Sequence, residues 1–186
     1  MINSERILLR TLEESDLEAR VKWFNDPEIN QFLVSDYPIG MAKTKRWFQS
    51  TLTDNSKLNL SIIDKTKGRL VGMTGLLNID VKNAHAQFYI TIGEADFRGK
   101  GIPNEVIPAV LRYGFTYLRL NKIYLWTLPN NTRARAVYER NGFKEEATLR
   151  DFLHCRGAFQ DIIQHCVLRR DFLADEMGTG SVDVCA

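Results

Sequence analysis

"GEADFRGKGIPNEVI", residues 93–107, crowds three glycines and two cations around one phenylalanine and then passes straight into an apolar pattern. The residues before it, "HAQFYITI" (85–92), alternate as a strand does, and those after it, "NEVIPAVLRYGFTYL" (104–118), put apolar side chains on one helical stripe. The glycines therefore occupy a strand-to-helix junction. Backbone N–H groups at such a turn lack helical partners and the helix dipole adds positive potential, so the turn can hold a pyrophosphate. Arg98 and Lys100 would add charge there, while Gly99 and Gly101 let the backbone approach closely. The same glycines would also serve an ordinary turn that needs unusual φ values, so a second signal has to decide.

Working outward, "RILLRTL" (6–12) reads as a strand, and Ser15 as the N-cap of a helix with Asp16 and Glu18 in its first turn, ending near "FNDPEIN" (24–30). "VSDYPIG" (34–40) is a loop, and "MAKTKRWFQSTLTD" (41–54) is a second helix with Trp47, Phe48 and Leu52 inward. "LNLSIID" (58–64) and "LVGMTGLLNI" (70–79) flank the charged turn "KTKGR" as a hairpin. Beyond the glycine turn come a helix over about residues 104–119, the strand "KIYLWTL" (122–128) and a helix within "NNTRARAVYERNGF" (130–143). Two closing strands lie around "ATLRDFLHC" (147–155) and "FQDIIQHCVL" (159–168). The order is α+β with one local strand-helix-strand-helix unit, which disfavours a doubly wound dinucleotide fold. Residues 1–172 form a single domain, and the Gly-rich, acidic tail 173–186 is expected to be loosely held.

The chain has 186 residues, 44% of them hydrophobic, which suits one domain with a sizeable core. Its formal charge is +2, from 25 Lys+Arg against 23 Asp+Glu, and no basic stripe carries interleaved aromatics. A nucleic-acid partner is not expected, and any anion site must be local. Cys155, Cys166 and Cys185 have no metal-ligand spacing, and their odd number argues against a disulfide framework, so a reducing, cytoplasmic setting is expected with no bound metal. No segment approaches the roughly 20 apolar residues of a membrane span, and the opening "MINSERILLRTLEESD" lacks the apolar run of a signal peptide.

The second signal is "NNTRARAVYERNGF", which follows a short apolar strand and has Asn or Thr near its start, Tyr138 two turns in and Gly142 at its end. Together with "DFRGKG" it closely resembles the GNAT superfamily of acyl-CoA-dependent N-acyltransferases. "RILLRTLEESDLEARVKWFNDPEINQFL" and "GFKEEATLRDFLHCRGAFQDIIQHCVLRRDF" look like the branch that contains ribosomal-protein N-terminal acetyltransferases and relatives acting on amino sugars, polyamines and antibiotics. The resemblance spans residues 5 to 172. It implies a central mixed, mostly antiparallel sheet of about seven strands, two of them splayed, flanked by about four helices, with acetyl-CoA as co-substrate.

By that resemblance, the pantetheine arm lies between "YITI" and "KIYLWTL" and pairs with the main chain of Ile90, Thr91 and Ile92. The diphosphate meets Arg98, Gly99, Lys100, Gly101, Ile102 and Pro103, where proline replaces the family's last small residue and offers no backbone N–H. Asn131 would touch the cofactor from the far side, and Tyr138 would sit near its sulfur and protonate it. Tyr138 would otherwise be a core aromatic on an amphipathic helix.

An alkyl amine of pKa roughly 10 must lose a proton before attack. Many relatives carry a glutamate for this on the preceding strand, where this chain has Gln87. His85, Glu94 and Asp80 are the alternatives, or the proton leaves through water. Asp36 and Tyr37, in the loop between the N-terminal helices, together with Gln87, are assigned to the acceptor. The implied acceptor is a small-molecule or peptide amine, and a homodimer is compatible with the reading. Protein N-termini, amino-sugar nucleotides and aminoglycoside-like compounds compete as acceptors: Glu13, Glu14, Asp16, Glu18, Asp26 and Glu28 would suit a polycation, whereas Lys43, Lys45 and Arg46 would suit a nucleotide. A regulatory acyl-CoA-binding module without catalysis is the rival class, favoured by Gln87 and disfavoured by Tyr138.

Overall fold

A computed structural model describes residues 1–33 and 37–179, with side chains through residue 174. The strands are β1 (Ile2–Asn3), β2 (Ile7–Thr11), β3 (Leu58–Asp64), β4 (Arg69–Asp80), β5 (His85–Ile92), β6 (Lys122–Thr127), β7 (Lys144–Cys155) and β8 (Ala158–Leu168). These eight strands make one sheet in the order β1-β2-β3-β4-β5-β6-β8-β7. Every neighbouring pair is antiparallel except β5 and β6. The strand beyond the expected seven is β1, whose two residues are too few to show a period and are held by pairing with β2 at Ile2↔Leu9.

The helices are α1 (Leu17–Phe24), α2 (Pro27–Asn30), α3 (Met41–Thr51), α4 (Pro103–Thr116), α5 (Thr132–Arg140) and α6 (Arg169–Thr179). On α4, Val106, Ile107, Val110, Leu111 and Phe115 recur at helical spacing, and all are fully buried against one face of the sheet. α1 and α3 cover the other face through a second cluster that includes Leu17, Trp23, Phe48 and Met73. The sheet is thus a shared wall between two small cores, and the edges where its strands separate are open to a ligand. No described helix is long and apolar enough to cross a membrane.

Two local expectations differ. Ser15 is not an N-cap: Glu13 caps a 3-10 turn over Glu14–Asp16, and Asp16 bonds back to the Glu13 N–H. Leu52 lies past the end of α3 and is 59% exposed rather than inward. α6 runs past residue 173 to Thr179, and Phe172 packs on Phe115 with ring centroids 5.4 Å apart.

Asp16 is the buried polar anchor of this half. Burial disfavours its charge, but Arg10 at 2.7 Å, the Ser61 hydroxyl at 2.7 Å and the Glu13 N–H at 3.0 Å outweigh that and hold its carboxyl below the usual carboxylate range. Asp16→Asn should therefore cost about 3 kcal/mol in urea unfolding, since it leaves Arg10 facing a neutral group. A depressed carboxyl contributes stability that is present above the unfolded pKa of about 3.9 and is lost as pH falls through the folded value. The wild-type protein should accordingly lose stability more steeply than the variant below about pH 4. Equal acid limbs would show that Asp16 does not contribute this way.

Candidate active site

β5 and β6 are joined at only three positions, His85↔Lys122, Ala86↔Ile123 and Gln87↔Tyr124. Past them, residues 88–92 and 125–127 part company, while β5 stays bonded to β4 as far as Gly72↔Ile92 and β6 to β8 as far as Thr127↔Ile163. A cleft of about 920 Å³ fills the splay. The Gly93 N–H donates to Val71 O at 2.9 Å, which sets the phase of the β4–β5 ladder. Counting back by twos, Thr91 and Tyr89 spend their main-chain groups on β4, and those of Ile90 and Ile92 face the cleft. Thr91 lines the cleft but is not a main-chain donor to it.

At one end of the cleft the glycine turn meets α4. Gly99 and Gly101 have φ of 78° and 76°, the left-handed region that a side chain strains. The amides of Gly99, Gly101 and Ile102 have no hydrogen-bond partner among the described residues, and the first turn of α4 adds its dipole. Pro103 stands first in α4, where a missing N–H costs nothing, and it lines the cleft. Ile102 contributes only main chain, because its side chain is core at 2% exposure.

The cations differ from those expected. Arg98 lines the cleft but is bonded to Asp26 at 2.8 Å, Glu28 at 2.6 Å and Gly93 O at 2.9 Å, so it ties α2 to the loop. Lys100 is exposed and outside the cleft lining. In their place, a Cβ on Gly99 would lie 3.3 Å from Arg133 Nη2, whereas Arg6, whose Nη2 would lie 3.7 Å from a Cβ on Gly101, is ion-paired with Glu105. The sequence marks Arg133 in one way: α5 has no acid in its first turn but an arginine, against the sign of its dipole, as an anion-binding helix start tolerates.

Acetyl-CoA fits these residues. A turn with free amides beside Arg133 suits its diphosphate, and the unpaired main chain of Ile90 and Ile92 suits its amide-bearing arm. Asn131 lines the cleft with its Oδ1 occupied in capping Ala134 N at 3.2 Å, which leaves its Nδ2 as donor. Tyr138 also lines the cleft, edge-on to Phe88 and Phe143 at 6.4 and 5.8 Å. Burial pushes its hydroxyl up to about 12, so it stays protonated through the neutral range.

None of the three candidate bases, His85, Asp80 and Glu94, lines the cleft. His85 stands at the closed end of β5, edge-on to Tyr124 at 5.9 Å, roughly 16 Å along the strand from Ile90. Asp80, 3.9 Å from it, is tied up in a turn with Asn83. Glu94 is 8% exposed; burial opposes its charge, but the Trp23 indole at 2.8 Å, Lys22 at 3.1 Å and Arg69 hold its carboxyl below the usual range. It braces α1 against the loop and is absent from the cleft wall. Tyr37 is 58% exposed and does not line the cleft, and Asp36 lies outside the described residues.

The other limb of the cleft, between α1, α3 and β5, is lined by Arg20, Phe24, Trp47, Asn59, Gln87 and Tyr89. Gln87 accepts from Asn78 Nδ2 at 3.1 Å, and the Tyr89 hydroxyl donates to Asn59 at 2.8 Å. Leu153 and Ile162 of the β7–β8 hairpin close one side. Arg156 at the hairpin tip latches it to α2, donating to Asn30 O at 2.6 Å and Gln31 O at 2.9 Å.

Residues 6–144 match the family model for the acetyltransferase (GNAT) domain. The chain is 28% identical over 170 residues to the spermidine N(1)-acetyltransferase of Vibrio cholerae, covering 91% of this chain and 97% of that protein. A crystal structure of that organism's spermidine N-acetyltransferase with CoA and spermine superposes with a TM-score of 0.84 at 28% identity, over 90% of this chain and 98% of the other. A candidate ribosomal N-acetyltransferase of Bacillus subtilis, YdaF, is 35% identical over 105 residues, covering 56% of this chain and 57% of that protein.

Proposed function

We propose, from the premise that this chain belongs to the GNAT acetyltransferase family, that it acetylates a small primary amine which enters between α1, α3 and β5. The transfer from acetyl-CoA to an amine is that of the family. One observation carries the choice of a small acceptor: the acceptor limb is roofed by the β7–β8 hairpin, latched through Arg156 to α2. A folded protein's N-terminus, as the likeness to ribosomal-protein acetyltransferases would have it, needs a more open mouth.

Bound acetyl-CoA supplies an acyl group activated on sulfur. Around it, the amides of Gly99, Gly101 and Ile102 with Arg133 hold negative charge at one end of the cleft. Ile90 and Ile92 offer main-chain hydrogen bonds between the strands, positioned to polarise a carbonyl. Tyr138 presents a protonated hydroxyl as donor to the departing sulfur. Glu28 is the sole carboxylate among the described lining residues, and Arg98 holds it at 2.6 Å. With no free carboxylate at hand, the amine gives up its proton to water, and catalysis rests on alignment of the reactants.

Thiol release from acetyl-CoA tests this with a panel of primary amines and short peptides, using wild type and His85→Gln. Small amines should be acetylated and the peptides should not. Both proteins should give one pH profile of kcat/KM whose rising limb moves with the pKa of the amine chosen. A limb that vanishes in His85→Gln and ignores the amine would reinstate the histidine as base. Release with no amine at all would refute the acceptor assignment.

A further inference from the structure

Arg20 is the conspicuous group in the acceptor limb. Its guanidinium lies 4.1 Å over the Phe24 ring and 3.9 Å over the Trp47 ring, and its Nε is buried with no hydrogen-bond partner among the described residues. No described carboxylate comes within ion-pair distance of it, whereas Arg10, Arg69 and Arg98 each hold one. Stacking by its faces compensates part of the cost of burying the charge and leaves the in-plane N–H edge unused. That edge is a fixed fork of donors, the geometry that matches the oxygens of a carboxylate or a phosphate.

We propose, building on the small-amine reading above, that the acceptor is an amine carrying a carboxylate or phosphate group which pairs with Arg20, and that polyamines are poor substrates. Burial pushes Arg20 down to about 10, with Tyr89 opposing, so the guanidinium remains charged at neutral pH. The surrounding wall fits the same ligand. Asn59, Gln87 and Tyr89 are neutral, and the lining carboxylate Glu28 is committed to Arg98, so a second or third ammonium group meets no free negative charge among the described residues. Aromatic rings and a single cation leave room for an alkyl spacer and one anionic end.

The test uses four probes of comparable reach: 5-aminopentanoate, 3-aminopropyl phosphate, 5-aminopentan-1-ol and spermidine. Affinity is measured by calorimetry on CoA-saturated protein, and turnover by thiol release. At least one anionic probe should bind wild type roughly 10- to 100-fold more tightly than the alcohol and spermidine. Comparing the carboxylate with the phosphate then says which anion is taken. Arg20→Met keeps the stem on Phe24 and Trp47 but deletes the charge, so it should abolish that preference and leave the alcohol's affinity, CoA affinity and melting temperature near wild type. Equal binding of charged and uncharged probes, tighter spermidine binding, or a preference that survives Arg20→Met would overturn the proposal. Anionic preference without acetyl transfer to any probe would instead count against the small-amine function and leave the Arg20 contact standing.

Discussion

Gly101→Leu protein should bind acetyl-CoA about 100-fold more weakly than wild type, a loss of ~2.8 kcal/mol. Two effects combine. At φ 76° a side chain costs on the order of 1–2 kcal/mol of backbone strain, which favours rearrangement of the turn, and the added carbons stand among the amides of Gly99, Gly101 and Ile102 where a diphosphate would approach. The fold itself should survive. A Cβ at this position meets nothing closer than Arg6 Nη2 at 3.7 Å and Asn104 Nδ2 at 3.8 Å, so the variant should melt only a few degrees below wild type. Calorimetry separates the two quantities. Unchanged affinity in a folded Gly101→Leu protein would remove the glycine turn from the cofactor site.

Tyr138→Phe should lower kcat by roughly 10- to 1000-fold while acetyl-CoA affinity and stability stay close to wild type. The ring contacts with Phe88 and Phe143 survive the change, and the hydroxyl has no hydrogen-bond partner among the described residues that would be lost. A fall in turnover therefore reports on the chemistry in the cleft and not on packing. The pH direction follows from the raised phenol. Its proton is fully present below the ordinary tyrosine value near 10 and is lost only toward about 12, so the wild-type contribution should be constant across the neutral range. Wild-type turnover in the phenylalanine variant would return Tyr138 to a purely structural role.

Residues close in sequence made the cofactor half of the site legible. Alternation ending at Ile92, glycines at 99 and 101 and an apolar stripe beginning near Val106 together require a strand, a left-handed turn and a helix start, because each is a property of consecutive backbone units. The splayed pair and the position of Tyr138 came with the family likeness, and the register of β5 and β6 bears out the splay.

Side-chain partners were another matter, because they are chosen by groups distant in the chain. Arg98 reads as a phosphate ligand in the sequence, and only the fold shows that α2 brings Asp26 and Glu28 against it, about 70 residues away in sequence. Glu94 looks like a base until α1 supplies Trp23 and Lys22, and His85 until pairing with Lys122 puts it at the closed end of the sheet. Arg133 and Arg20 gain their roles in the same way, by where α5 and α1 come to rest. The sequence by itself determined the backbone that can cradle an anion, since local φ and period suffice for that. Which charges face the cleft and which are neutralised was decided only by the tertiary structure, because a side chain's charge is spent on whatever partner the fold brings within about 3 Å.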